Sequence, residues 1–165
     1  MAPFGSWFAE RIAEIIHSNS EKMRGNVVVP VPLHRARRRE RGYNQAQLIA
    51  APMARLLRLP CEPSALTRVR PRPNKLILSR GERWKSVRGA YQAADHPSAK
   101  RLKGQTVLLV DDVFTTGATL DSCARALRKA GAAKVIGITA ARVIYRMDVG
   151  SQRREPLENE PSVSA

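Results

Sequence analysis

Residues 106–143 read TVLLVDDVFTTGATLDSCARALRKAGAAKVIGITAARV, and their pattern decides the fold. Val107 to Val110 form an apolar run of strand length. Leu120, Cys123, Leu127 and Ala130 then recur at helical spacing. Gly131 stands just past that helix, where a left-handed backbone is needed and carries no side-chain penalty. Val135 to Thr139 give a second strand. Strand, loop, helix and strand make a βαβ unit, for which a right-handed crossover is expected.

The loop inside this unit carries chemistry. Asp111 and Asp112 sit at the carboxyl end of a central strand, where open α/β sheets bind ligands. Thr115, Thr116, Gly117, Ala118 and Thr119 follow, supplying hydroxyls, a glycine that lets the chain curl, and the start of a helix. Amides at a helix start, with the helix dipole behind them, attract an anion. Carboxylates repel that anion, so the acids suit a neutral polyol or a metal bridging to a second phosphate. A sugar with hydroxyls at one end and a phosphate at the other satisfies both halves, and ribose 5-phosphate has that shape. The plainer alternative, Asp and Thr serving only as turn and cap residues, accounts for TTGAT. It does not account for two adjacent acids closing an apolar strand.

Working outward, Phe8, Ile12, Ile15 and Ile16 predict a helix over residues 6–17. Gly25 and Asn26 break it, and Val27 to Val31 read as a strand whose β-branched run suits a parallel sheet covered on both faces. The basic segment LHRARRRERGYN, residues 33–44, holds Arg35, Arg37, Arg38, Arg39 and Arg41. Ala46, Ile49, Ala50, Met53, Leu56 and Leu57 then mark a helix, in which Pro52 predicts a kink or a restart. Residues 64–70 read as a strand, residues 70–86 (RPRPNKLILSRGERWKS) as a mobile Pro- and Arg-rich loop, and residues 89–93 as a short strand. Residues 94–105 form a polar spacer, and the final GSQRREPLENEPSVSA is polar and expected to be disordered. The expected division is an N-terminal helical segment (1–24), one α/β domain (25–147) and a disordered tail (148–165).

Bulk properties narrow the function. A chain of 165 residues with 43% hydrophobic content is one globular domain's worth of material. No apolar run approaches the roughly 18 residues that cross a bilayer, and the first residues lack the basic start and apolar block of a secretory signal. A cytoplasmic protein is expected. Lys and Arg number 29 against 14 Asp and Glu, a formal net charge of +15, which predicts phosphate-bearing partners. Cys61 and Cys123 lack CxxC spacing and cannot build a zinc ribbon. Cys123 falls on the apolar face of its helix, as a small buried thiol would.

VLLVDDVFTTGAT, residues 107–119, resembles the phosphoribosyl diphosphate (PRPP) signature of type I phosphoribosyltransferases. Together with VVVPVPLHRARRRERGYNQAQLIA (27–50) and LSRGERWKSVRGAY (78–91), it resembles the ComF family of competence-associated, phosphoribosyltransferase-like proteins. The likeness covers residues 25–143. It implies a type I phosphoribosyltransferase-like α/β fold, a mostly parallel sheet flanked by helices. It implies that Asp111 and Asp112 are the catalytic pair, contacting the ribose hydroxyls and sharing in stabilising charge at the reacting carbon. Thr115, Thr116, Gly117, Ala118 and Thr119 would hold the 5-phosphate, and Pro32, Leu33, His34 and Arg35 the pyrophosphate. Arg72, Lys75, Arg80 and Arg83 would form a flexible loop that neutralises the leaving group. His34 is either a general base or a surface donor. Mg²⁺ would arrive with PRPP, without direct protein ligands.

The sequence departs from the family pattern in three places. It has no cysteine zinc ribbon; Arg72, Pro73, Asn74 and Lys75 replace a Thr-Pro-x-Gln run; and Ser86 stands where an Asn is usual. The last two fall where the site would close over the reacting carbon, so they bear on turnover and leave the expectation of phosphate binding in place. In one reading the protein transfers a phosphoribosyl group to a nitrogen acceptor that no segment identifies. The alternative is a DNA-uptake accessory protein that binds single-stranded DNA without turnover, with Arg35 to Arg41 and Arg68 to Arg88 tracking phosphates and Tyr43, Trp84 or Tyr91 stacking on bases. A third is a sensor that binds PRPP and leaves it intact. The expected partners are therefore PRPP and either single-stranded DNA or the competence machinery, with a homodimer left open.

Overall fold

The structure, a computed structural model, describes residues 2–71, 79–143, 145–146 and 155–156. In chain order it runs α1 (Ala2–Ser18), α2 (Ser20–Met23), β1 (Val27–Pro30), α3 (Arg35–Arg41), α4 (Gln45–Leu56), β2 (Leu66–Arg68), α5 (Arg80–Val87), β3 (Tyr91–Ala93), α6 (Pro97–Lys100), β4 (Thr106–Phe114), α7 (Ala118–Lys129), β5 (Lys134–Arg142), β6 (Tyr145–Arg146) and β7 (Glu155–Pro156). The expected tail, 148–165, lies outside the described residues apart from β7.

β4 is the middle of a three-stranded sheet, ordered β1-β4-β5, with both pairings parallel. Side chains alternate across a strand, so a strand buried on both sides feeds two cores. Val107 and Leu109 join Val27, Val29 and Val31 in one core, together with Cys123 and Leu127 of α7. Leu108 and Val110 join Val28 in the other, with Ala9, Ile12 and Ile16 of α1 and Ile49 and Met53 of α4. The apolar runs of β1 and β4 thus read as they do because both faces are covered.

β2 and β3 form a separate antiparallel pair in which Leu66 faces Ala93 and Arg68 faces Tyr91. Ala65, Leu66, Ala90 and Tyr91 are buried in the α7-side core, so this strand pair packs on the same side as α7. The outer edge of β1 takes a bridge from Cys61 to Val28, closed by Val28 N–H to Pro60 O and Glu62 N–H to Val28 O, both 2.9 Å. Pro30 sits inside the strand without cost to the β1–β4 ladder. In β1 the amide of Val28 points outward and that of Val31 points to β4, bonding Val110 O at 2.8 Å, so the missing donor of Pro30 falls on the outer edge.

Three expectations are corrected. First, residues 80–87 form α5 rather than loop. Ser79 Oγ accepts from Glu82 N–H at 3.2 Å while Glu82 Oε2 accepts from Ser79 N–H at 2.9 Å, a reciprocal cap that starts the helix. Residues 72–78 lie outside the described residues. Second, α4 does not restart at Pro52: one helix runs from Gln45 to Leu56 through it. A proline inside a helix costs about 3 kcal/mol, whereas burying Ile49 and Met53 contributes about 1.5–3 kcal/mol each. Packing wins. Pro52 offers no N–H to the Leu48 carbonyl, and there α1 approaches closely: a Cβ built on Gly5 would lie 2.5 Å from Leu48 O. Third, β4 continues past Val110 through both acids to Phe114.

α7 ends as the sequence predicts. Gly131 takes φ +101°, its amide bonds Arg128 O at 3.0 Å, and Ala132 N–H reaches Leu127 O at 3.1 Å. No helix among the described residues is long and apolar enough to cross a membrane.

Candidate functional site

The site exists because β1 stops early. Its last pairing sets Pro30 against Val110, while β5 accompanies β4 as far as Phe114 opposite Arg142. From Asp111 onward, β4 therefore has a neighbour on one side only. On the other side opens a cavity of about 340 Å³, inside the roughly 300–1,000 Å³ range of small-molecule sites.

Asp111 and Asp112 line this cavity. Asp111 Oδ1 accepts from Asp112 N–H at 3.0 Å, and Asp112 Oδ1 accepts from Val113 N–H at 2.8 Å. Each carboxylate is thus tied back to the chain by one oxygen. Thr115, Thr116, Ala118 and Thr119 line the adjoining wall. Gly117 makes the turn between strand and helix with φ +78° and has no side chain to cap α7, while Thr116 Oγ1 accepts from Ala118 N–H at 3.4 Å. A Cβ on Gly117 would stand 3.2 Å from the Phe114 ring, itself covered by the Arg142 guanidinium at 5.6 Å. The first turn of α7 consequently meets the cavity with its backbone amides as the main local donors, beside hydroxyls.

Cations close the opposite side. α3 contributes Arg37 and Arg41, one helical turn apart; β2 contributes Arg68; α5 contributes Arg83. α5 is held in place by Ser122 Oγ of α7, which donates to Val87 O at 2.7 Å. α4 is anchored by Asn44, which caps it through Ala46 N–H at 3.2 Å and donates to Val31 O at 3.0 Å. The carbonyl end of β1 and the start of α4 are thereby fixed to each other at the cavity rim.

Tyr91 joins these parts. Its hydroxyl accepts from Arg68 Nη1 at 3.0 Å, and it also shares a hydrogen bond with Thr119. Burial, then the nearness of Cys123 and Asp111, pushes the phenol up to about 12, against the opposing pull of Arg68 and Thr119. It stays a neutral hydroxyl at ordinary pH. Burial also raises the Cys123 thiol, with Asp111 adding to the effect, and raises Cys61, with Glu62 adding. Both thiols are held protonated, which removes them as nucleophiles.

Of the residues singled out in the sequence, Asp111, Asp112, Thr115, Thr116, Ala118, Thr119, Pro32, Leu33 and Arg83 all line the one cavity. Gly117 supplies its turn. His34 instead caps α3, accepting from Ala36 N–H at 3.4 Å, and neither it nor Arg35 lines the cavity. Arg72 and Lys75, and the side chain of Arg80, lie outside the described residues. Sequence reasoning missed Asn44, Arg68 and Tyr91 as members of the site. It also did not separate Arg37 and Arg41 from the other α3 arginines, although their spacing of four marks one helix face. Arg68 and Tyr91 carry no such local signal.

Comparison with known proteins agrees with this geometry. The Phosphoribosyl transferase domain family matches residues 8–163. Competence protein F of Haemophilus influenzae is 35% identical over 108 residues, covering 66% of this chain and 46% of that protein. DNA utilization protein YhgH of Escherichia coli is 34% identical over 108 residues, covering 66% of this chain and 45% of its own length. The chain therefore spans less than half of these curated relatives. Among solved structures, a glutamine phosphoribosylpyrophosphate (PRPP) amidotransferase from B. subtilis complexed with ADP and GMP superposes with a TM-score of 0.51 at 23% identity, over 84% of this chain and 25% of that one. That likeness concerns the fold. A parallel sheet whose middle strand ends in paired acids beside a helix start, matched along almost its whole length, makes this chain a member of the phosphoribosyl transferase domain family, of the ComF type.

Proposed function

We propose that the chain binds PRPP with Mg²⁺ and transfers the phosphoribosyl group to a nitrogen acceptor. The observation that carries this reading is the single cavity shared by Asp111, Asp112, the first turn of α7 and four arginines. An anion with hydroxyls and two phosphorylated ends needs that combination, since acids repel phosphate while accepting hydrogen bonds from hydroxyls.

Among the described residues no cluster of three His, Cys, Asp or Glu could hold a metal alone. The site instead suits an Mg²⁺ ion that arrives on the diphosphate and keeps several waters, bound through substrate phosphates with Asp111 and Asp112 lining the same cavity. When bound, the ion neutralises the diphosphate and so eases its departure. The protein's own part is positional and electrostatic. Asp111 and Asp112 orient the ribose hydroxyls and favour positive charge gathering at the anomeric carbon. The α7 amides and Thr119 hold the 5-phosphate, and Arg37, Arg41, Arg68 and Arg83 receive the leaving diphosphate.

The test is calorimetry with PRPP and Mg²⁺, followed by pyrophosphate release over a panel of nucleobases. Binding that vanishes in Asp111→Asn/Asp112→Asn supports the reading, and release with one base establishes transfer. No binding by the unaltered chain overturns it; binding without release under every base leaves a PRPP sensor.

The relatives' names, a competence protein and a DNA utilization protein, favour a second reading in which the chain serves DNA use, and the form proposed here is binding of single-stranded DNA in uptake without turnover. Its support here is the exposed arginine run of α3 and the half-exposed Trp84 on α5. Such binding should weaken steeply with added salt and survive loss of both aspartates.

A further inference from the structure

α3 divides its arginines between two sides. Arg37 and Arg41 line the cavity described above, whereas Arg38 and the next turn, Gly42 and Tyr43, line a second hollow of about 390 Å³ between α3, α4 and α1. A step of one residue turns a helix by about 100°, so neighbours in the sequence serve different sides of the same short wall. We propose that this second hollow is a nucleotide site, taking one base and one phosphate.

Three features assign the chemistry. Arg38 and Arg55 line the hollow with no Asp or Glu beside them, and among the described residues neither arginine pairs with a carboxylate. Two uncompensated guanidiniums recognise a phosphate, which they meet in a planar, forked geometry. Tyr43 is a half-buried ring in the same wall, offering a stacking face to a base. Gln47 adds a side-chain amide, donor and acceptor together, suited to a base edge. Asn44 also lines the hollow, but its amide is already committed to Val31 O and Ala46 N–H, so it contributes structure and not recognition. Pro52 and Leu48 form the apolar floor.

The ligand chemistry can come from a free nucleoside monophosphate or from one unit of a single strand, and the test separates them. AMP, inorganic phosphate and an oligothymidylate are titrated into the full chain and into its Asp111→Asn/Asp112→Asn form, which disables the first cavity. The site predicts binding of AMP, or of the oligonucleotide, that persists in the double variant. Tyr43→Ala and Arg55→Gln should each weaken it about tenfold or more, with Tyr43→Phe close to the unaltered protein. AMP binding assigns a free nucleotide; oligonucleotide binding without AMP assigns a strand. Arg55 is exposed, so Arg55→Gln retains a readout even if Tyr43→Ala fails to fold. Phosphate competing as well as AMP with no effect of Tyr43→Ala, absence of binding by all three probes, or binding that ends with the two aspartates would each overturn the proposal. Persistence in the aspartate variant also keeps this outcome separate from that of the PRPP reading.

Discussion

Arg68 and Tyr91 face each other across the β2–β3 pair, and they touch twice. Arg68 Nη1 donates to the Tyr91 hydroxyl at 3.0 Å, while the guanidinium carbon lies 5.2 Å from the centre of the same ring. Both residues line the cavity that holds the paired acids. A cation that would otherwise swing in solvent is therefore held at the rim before any ligand arrives.

This arrangement predicts a division of labour. Arg68→Ala should weaken pyrophosphate binding by roughly tenfold or more, as loss of a hydrogen bond to a charged group costs about 1.5–3 kcal/mol. Tyr91→Phe keeps the ring under the guanidinium and removes only the hydroxyl, so its effect should be smaller. Calorimetry with pyrophosphate and Mg²⁺ on the two variants reads the difference; equal losses would assign the binding to the hydroxyl instead.

Tyr91 also sets a pH dependence. An unfolded tyrosine ionises near its ordinary value of 10.0, whereas the folded phenol waits until about 12. The stabilisation is complete below pH 10 and is lost as pH rises from 10 through 12, because the unfolded chain releases its proton first. The difference is worth about 2–3 kcal/mol. Denaturant unfolding over pH 8–12 should show that fall in the unaltered chain, and a shallower one in Tyr91→Phe.

Ser122 is expected to act on α5 alone. Its 2.7 Å bond to Val87 O ties that helix to α7. Ser122→Ala should cost about 0.5–1.5 kcal/mol locally. Amide hydrogen exchange should accelerate over residues 83–87, with the β4 and α7 amides unchanged. An even acceleration across the chain would contradict this.

Gly5→Ala sets two effects in opposition. Alanine in a helix interior gains about 1 kcal/mol over glycine. The new Cβ, however, would stand 2.5 Å from the Leu48 carbonyl oxygen and 3.0 Å from its carbon, both backbone atoms. Overpacking typically costs about 1–3 kcal/mol, so the variant should melt at lower temperature than the parent. A higher melting temperature would mean that α1 can move off α4 freely.

Much of this was legible from residue order alone, and the reasons are local. β1 and β4 announce themselves because both faces of each strand are buried, leaving continuous apolar runs. Gly117 and Gly131 sit where positive φ is required, so the ends of α7 could be placed. α5 was hidden by the prolines ahead of it and the arginines around it, although Ser79 and Glu82 spell out a reciprocal cap. Pro52 suggested a restart that α4 does not make, since a single-residue rule cannot weigh the burial of Ile49 and Met53. Arg68 meeting Tyr91 depends on pairing two residues 23 positions apart with α5 between them, and no pattern within either strand foretells it.

The partition of α3 constrains how such a protein can vary. Substituting one arginine would dim a single hollow and spare the other, so the composition of the segment is free to drift. Inserting or deleting one residue ahead of Arg37 is a different event, because every side chain behind it would turn by about 100° and leave the side it now serves. Length, more than charge, is what this short helix cannot surrender.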